Sequence, residues 1–448
     1  MMRWVVLVPG IMGSSLSLDG DEVWPPSVWD VVTGYDDIVK LMDDRVVVDD
    51  IIDKVFIKPV YHALLGDIAA CGYSVNDVER RFVPFPYDWR KSNEITAVGL
   101  AACLDAASAG GLPDDITILA HSMGGLVARR VVEGGDYVGR AWFDRIMRVI
   151  TFGTPHFGAP QAVARLTGKE KVLGVSGHDI VLLASDPRYS ALYELAGPHG
   201  PAFTVDVPLR GQLPKVIDRF DKRVAIPLDL NSANIDAANA FWSKLDLERR
   251  PAGVEYYFFG GAAHTTVTSC QTDGTTVDTI TRESAGDGTV PVSSSIVPEF
   301  PHGYSRKEHM RVFEDRDVRE ALYRFLDAPS NVRPQSADST EAVGKPGTVG
   351  LSVNKETYEV GEPVEIVVSY SQPVDNPTMS FGFARIIPAN PEVPEAVASV
   401  DITLGGQNVS NFAVTITPEL EPGLYELTTS LPTDDPERTM FVVSTPSG

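Results

Sequence analysis

Short apolar runs alternate with longer stretches of helical period over residues 1–328. "WVVLVPG" (4–10) reads as a buried strand that ends at a Gly turn. "VYHALLGDIAACGYS" (60–74) and "NEITAVGLAACLDAASAGG" (93–111) carry the i, i+3, i+4 spacing of helices. "RRFVPFPYDWR" (80–90) reads as a short strand with a loop. "DITILA" (115–120) is a strand, "MGGLVARRVVEGG" (123–135) a helix and "IMRVITFGTP" (146–155) a strand. "VEYYFFGGAAHTT" (254–266) reads as one late strand and "RDVREALYRFLDAP" (316–329) as a closing helix. Strands separated by helix-length segments predict a mostly parallel sheet with right-handed crossovers. Residues 155–250 break the rhythm with Pro, Gly and apolar stretches of no clear period, and read as an inserted cap.

Beyond residue 328 the pattern changes. Residues 329–348 are polar and rich in Pro, Ser and Gly, which predicts a linker. From 349 to 448, stretches such as "EPVEIVVSYS", "TMSFGFARII" and "RTMFVVS" alternate with Gly/Pro turns and no helical period is evident. This predicts a β-sandwich of immunoglobulin-like architecture, without the Cys–Trp–Cys framework of true immunoglobulin domains. The expectation is therefore an α/β domain over 1–328 with a cap at about 155–250, a linker, and a β-sandwich over 349–448.

Composition narrows the class. The 448 residues are 43% hydrophobic and 22% charged, ordinary globular material for two domains. A formal net charge of -23 argues against nucleic acid or a strongly anionic bilayer as partner. Cys71, Cys103 and Cys270 are an odd, scattered set without metal-type spacing, which fits a reducing compartment. No apolar run reaches the length of a membrane span. The opening "MMRWVVLVPGIMG" has only Arg3 ahead of a brief apolar run and no A-x-A-like site after it. It reads as the first strand rather than a leader, and the expected location is cytoplasmic.

The chemistry centres on "DDITILAHSMGGLVARRVVEGG" (114–135), where a β-branched run breaks at His121–Ser122 and resumes as a helix. A serine hydroxyl becomes a nucleophile only when a base takes its proton. A strained strand-to-helix elbow exposes such a hydroxyl and aims the next backbone N–H at a developing oxyanion; this is the G-x-S-x-G element of α/β-hydrolases. Here the pentapeptide is Ala120-His121-Ser122-Met123-Gly124, with alanine at the first position. A helix-capping serine is the plainer reading of Ser122, but the strand before and helix after favour a nucleophile. The acid and then the histidine should follow in chain order. "ESAGDGTVPVSS" offers Asp287, otherwise an ordinary Asp-Gly turn residue. His309 lies just ahead of the closing helix, with His302 as its rival; His121 is set aside as base by its place on the elbow. His156, His178, His199 and His264 read as structural or cap residues. The Gly10 turn in "VPGIMGSS" nominates the Ile11 amide, beside that of Met123, as oxyanion donors, although such a loop taken alone is a plain turn.

Several motifs together resemble the lecithin:cholesterol acyltransferase family, including lysosomal phospholipase A2-like enzymes. They are "VPGIMGS" (8–14), "FPYDWR" (85–90), "AHSMGGLVAR" (120–129), "GTPHFGAP" (153–160), "LYELAGP" (192–198) and "GDGTVP" (286–291), followed by His309. The resemblance implies serine-triad acyl transfer from a lipid or other ester. It marks Tyr87, Asp88, Trp89 and Arg90 as scaffolding near the site, which also suits an aromatic packing loop with an internal ion pair. Family members outside cells commonly carry a disulfide near the first Trp-containing loop; "DEVWPPSVWD" has Trp24 and Trp29 but no cysteine. These two tryptophans are candidates to line an acyl groove, or else to pack.

The sequence therefore predicts acyl transfer through Ser122, His309 and Asp287, to water or to an alcohol, on a phospholipid, neutral lipid or other ester, with no metal or organic cofactor. The rivals are a catalytically weak hydrolase-fold scaffold whose β-sandwich binds a protein partner, and a peptidase or amidase on the same fold.

Overall fold

The computed structural model describes residues 2–27, 30, 34–55, 58–170, 172, 174–197, 203–205, 215–217, 228–272, 276–329, 349–355, 357–387, 393–430 and 438–444. Six strands form the central sheet: β1 (Arg3–Val8), β2 (Arg80–Pro84), β3 (Asp115–His121), β4 (Ile146–Phe152), β5 (Glu255–Gly261) and β6 (His302–Ser305). Their spatial order is β6-β5-β4-β3-β1-β2, and every pairing is parallel. In β1, Trp4, Val5, Val6, Leu7 and Val8 are all buried, as a strand covered on both faces requires. β3 and β4 run likewise into the core.

Helices cover the sheet. α1 (His62–Ala70) and α2 (Asn93–Ser108) follow the predicted periods; the Ser92 hydroxyl caps α2 by accepting from the Glu94 N–H at 3.1 Å. α3 (Met123–Glu133) has no exposed face: all of its residues are buried. α4 (Arg316–Phe325) turns Val318, Leu322 and Tyr323 inward and is capped by Asp315. No helix among the described residues is long and apolar enough to cross a membrane.

Two departures from the sequence reading bear on the site. "VEYYFFGGAAHTT" is not one strand: β5 stops at Gly261, and His264–Thr272 starts a separate sheet. That strand pairs antiparallel with Val277–Gly286, with bulges after His264 and Val267, and His264 stands opposite Gly286, so the hairpin leaves and returns at one point. Strands Phe203–Val205 and Lys215–Ile217, inside the span read as a cap, extend the same sheet, so the cap draws on residues beyond 250. The second departure is β6, a four-residue strand that the sequence reading passed over because "HGYS" carries no readable period.

The C-terminal region holds two sheets. One contains β7 (Val349–Val353), β9 (Val364–Val374) and β12 (Val409–Ile416). The other contains β8 (Thr357–Glu359), β10 (Thr378–Ile386), β11 (Glu395–Thr403), β13 (Gly423–Ser430) and β14 (Arg438–Ser444), in the order β8-β14-β13-β10-β11. Pairing is antiparallel except between β8 and β14. Leu351, Ile366 and Val368 from the first sheet share one core with Phe381, Leu427 and Phe441 from the second. Of the residues read as linker, 330–348 lie outside the described residues.

Candidate active site

The carboxyl ends of β1, β3 and β4 lie side by side: Val8 pairs with Ala120, and His121 with Phe152. Loops leaving these ends converge on Ser122, the usual ligand edge of a parallel sheet. Ser122 stands at φ 51° and ψ -125°, in the positive-φ region that costs a non-glycine residue strain. Its backbone is pinned on both sides. The Ser122 N–H donates to the Phe152 carbonyl at 2.9 Å, and its carbonyl accepts from Thr154 Oγ1 at 2.9 Å and the Gly125 N–H at 3.0 Å. Gly124 is required by close approach: a Cβ there would lie 2.3 Å from the Val8 carbonyl oxygen and 2.4 Å from that of Pro9. The first elbow position tolerates Ala120 because it is still strand, buried within β3.

Asp287 and His309 meet Ser122 from two further loops. His309 Nε2 is 2.9 Å from Ser122 Oγ, and His309 Nδ1 is 2.8 Å from Asp287 Oδ2. The hairpin after β5 returns the chain so that Asp287 sits against Gly261, at the end of that strand. His309 opens a short 3-10 turn, His309–Glu314, ahead of α4, and its N–H donates to the Asp287 carbonyl at 2.9 Å. Asp287 Oδ1 accepts from the Val290 and Thr289 amides at 2.7 and 2.9 Å. Burial alone would raise the Asp287 carboxyl, but the His309 ring and those amides outweigh it and hold the group below the usual carboxylate range. Gly153, at φ 58°, leaves room for the pair: a Cβ would stand 3.0 Å from both Asp287 Oδ2 and His309 Nδ1.

His121 works from behind. The Gly10 N–H donates to the Tyr61 hydroxyl at 2.7 Å, which lies 2.8 Å from His121 Nδ1; His121 Nε2 lies 3.0 Å from the His309 carbonyl oxygen. A carbonyl only accepts, so Nε2 carries the proton and Nδ1 accepts from Tyr61. Burial, and then the neighbouring His309, push the His121 imidazole down to about 3, so it stays neutral. The chain of bonds ties the loop holding Ile11 to the backbone of His309. Tyr61→Phe would leave the Gly10 N–H and His121 Nδ1 buried without partners. We expect a loss of about 2 kcal/mol in stability and about tenfold in kcat, read by thermal melting and ester turnover.

Ile11 lines the same cavity as Ser122 and His309, while Met123 opens α3, where the first amides lack helical acceptors. "FPYDWR" braces this loop. Tyr87 Oη donates to the Pro9 carbonyl at 2.9 Å, Trp89 Nε1 to the Ser14 carbonyl at 3.2 Å, and Arg90 grips Asp88 through two bonds of 2.7 Å. Trp24 also lines the cavity, yet it is fully buried, donates from Nε1 to the Met12 carbonyl at 3.0 Å and meets Trp89 edge-on. Trp29 and His199 lie outside the described residues. His302 is exposed on β6 and bonds the Phe300 carbonyl, away from Ser122.

Residues 48–176 match the family model of lecithin:cholesterol acyltransferase. Over these residues the chain is similar to lecithin:cholesterol acyltransferase. The matched segment holds the "FPYDWR" loop, the Ser122 elbow and "GTPHFGAP". Two solved structures resemble this acyltransferase-like chain weakly. The product of gene lin2722 from Listeria innocua is 11% identical, with a TM-score of 0.32, over 73% of this chain and 94% of that one. The Bacillus licheniformis lipase BlEst2 in mature form is 12% identical, with a TM-score of 0.35, over 72% and 91%. Overlaps this low decide nothing about the acyltransferase-like chain. Among curated proteins none matches it.

Sequence reasoning missed two sets of residues. Tyr61 and Ser14 act through contacts distant in sequence and leave no local mark. Leu424, Met440 and Val442 of the C-terminal region also line the cavity. For these a signal existed: "MFVV" (440–443) breaks the apolar–polar alternation of a half-exposed strand, which marks a strand buried on both faces.

Proposed function

We propose that the chain is a serine acyl-ester hydrolase or O-acyltransferase acting on a lipid-like ester, with Ser122 as nucleophile, His309 as base and Asp287 as the group that orients it. The observation that carries the reading is the unbroken line Ser122 Oγ, His309 Nε2, His309 Nδ1, Asp287 Oδ2, with links of 2.9 and 2.8 Å. His309 takes the Ser122 proton as Oγ bonds to the ester carbonyl carbon, and the carbonyl oxygen becomes an oxyanion facing the Ile11 and Met123 amides. Collapse breaks the bond to the alcohol, which takes the proton from His309 and departs, and leaves Ser122 Oγ acylated. Water or an acceptor alcohol, deprotonated by His309, then takes the acyl group and restores the serine. Ile11, Val60, Leu192 and Leu195 give the cavity apolar walls, which favours an acyl chain over a charged substrate. We also read the C-terminal region as an immunoglobulin-like sandwich, on its two sheets sharing one core.

A fluorophosphonate reports on the nucleophile directly. The wild type is expected to label at Ser122, and Ser122→Ala to remain unlabelled with an unchanged melting profile. Labelling that persists in the variant would overturn the assignment.

A further inference from the structure

The outer face of the five-stranded C-terminal sheet carries an apolar row at one end. On β14, Phe441 and Val443 enter the domain's own core. Alternation turns Met440 and Val442 the other way, toward the side where an antiparallel sheet commonly meets water. Val442 is nevertheless buried, and with Ile386 and Leu424 it forms a separate apolar cluster against which Met440 packs. Register makes this a row across four strands: Ile386 opposite Leu424, Leu424 opposite Val442, and Val442 opposite Thr357. The row faces the catalytic region, because Thr357, Leu424, Met440 and Val442 line the same cavity as Ser122 and His309.

The seat is fastened at the segment that carries His309. Arg306 Nη1 donates to the Tyr370 carbonyl at 3.3 Å, and Arg311 Nη1 to the Arg438 carbonyl at 3.0 Å. Thr439 Oγ1 donates to Glu308 Oε2 at 3.4 Å. All three bonds start or end within residues 306–311.

We infer that this row is one wall of the acyl site, so that the C-terminal domain selects the length of the acyl chain delivered to Ser122. The inference rests on the reading of Ser122 as the acylated residue. An alkyl chain leaving the acyl carbonyl on Ser122 Oγ needs an unbroken dry surface, and the residues lining the cavity come both from the α/β domain, Ile11 and Leu195 among them, and from the C-terminal row. Each methylene laid on the C-terminal row should raise kcat/KM about fourfold. A wall on a second domain also lets acyl preference change without disturbing Asp287 or His309.

The test uses the full-length protein and p-nitrophenyl esters of acetate, butyrate, octanoate and laurate. Met440 is only partly buried, so its replacement spares the core of its domain. Met440→Trp should lower the ratio of kcat/KM for laurate to that for acetate at least tenfold. Met440→Ala should move the preference toward longer chains. A chain-length profile identical to wild type in both variants, or an equal loss at every length, overturns the wall. Fluorophosphonate labelling of wild type separates the two readings. No labelling at Ser122 overturns the nucleophile and the wall together, whereas labelling with an unmoved profile overturns the wall alone.

Discussion

Replacing Asp287 with asparagine is expected to lower kcat for ester turnover by about four orders of magnitude while KM and the fold change little. The size of the effect follows from where the side chain is held. Asp287 Oδ1 accepts two backbone N–H bonds, from Val290 and Thr289, and only an oxygen can keep them. The asparagine must therefore place its carbonyl there and turn its NH₂ toward His309 Nδ1. An NH₂ only donates, so the imidazole is driven to the tautomer protonated on Nε2. That nitrogen then cannot take the Ser122 proton across the 2.9 Å contact. Steady-state kinetics beside Ser122→Ala, which sets the floor, reads the result. A loss under about tenfold would remove Asp287 from the mechanism.

Arg129→Met is expected to destabilise the protein by about 3–5 kcal/mol, the largest effect on stability we foresee. Arg129 and Glu133 form a bidentate pair on α3, with bonds of 2.8 and 3.0 Å, and both side chains are buried. Glu133 also accepts from Tyr256 Oη at 3.0 Å and the Asp246 amide at 2.7 Å. Removing the guanidinium leaves a buried carboxylate without its counter-charge. It also frees the His156 carbonyl, which Arg129 Nη1 holds at 2.9 Å, in the loop whose Thr154 pins the Ser122 backbone. Urea unfolding should show the drop, with activity falling alongside. Adding Glu133→Gln, which removes the charge and keeps an oxygen for Tyr256, should recover part of the stability. A single-variant loss below about 1 kcal/mol would show that the pair is solvated in solution.

How much of this was legible beforehand depends on the range of the signal. The elbow was readable because strand, serine, helix and both glycines fall within one short window. Asp287 and His309 were reached by chain order, which placed them before any contact was known. The hairpin that carries Asp287 back to the end of β5 was not readable, because although Gly260-Gly261 marks a break, the pairing of His264 with Gly286 joins residues that no local window holds together. Trp24 was read as groove or packing, and the structure gives it both positions at once, buried and facing the cavity.

The sequence by itself determined the parallel α/β core, the separate β-rich tail and the residue types needed for acyl chemistry, because periodicity and turn residues act locally. Only the tertiary structure decided that Tyr61 and His121 link the Gly10 loop to the backbone of His309, and that residues of β13 and β14 line the cavity. Those contacts join residues 51 to 188 positions apart, or further. Nothing in a local window encodes a partner at that distance; the packing of the whole chain selects it.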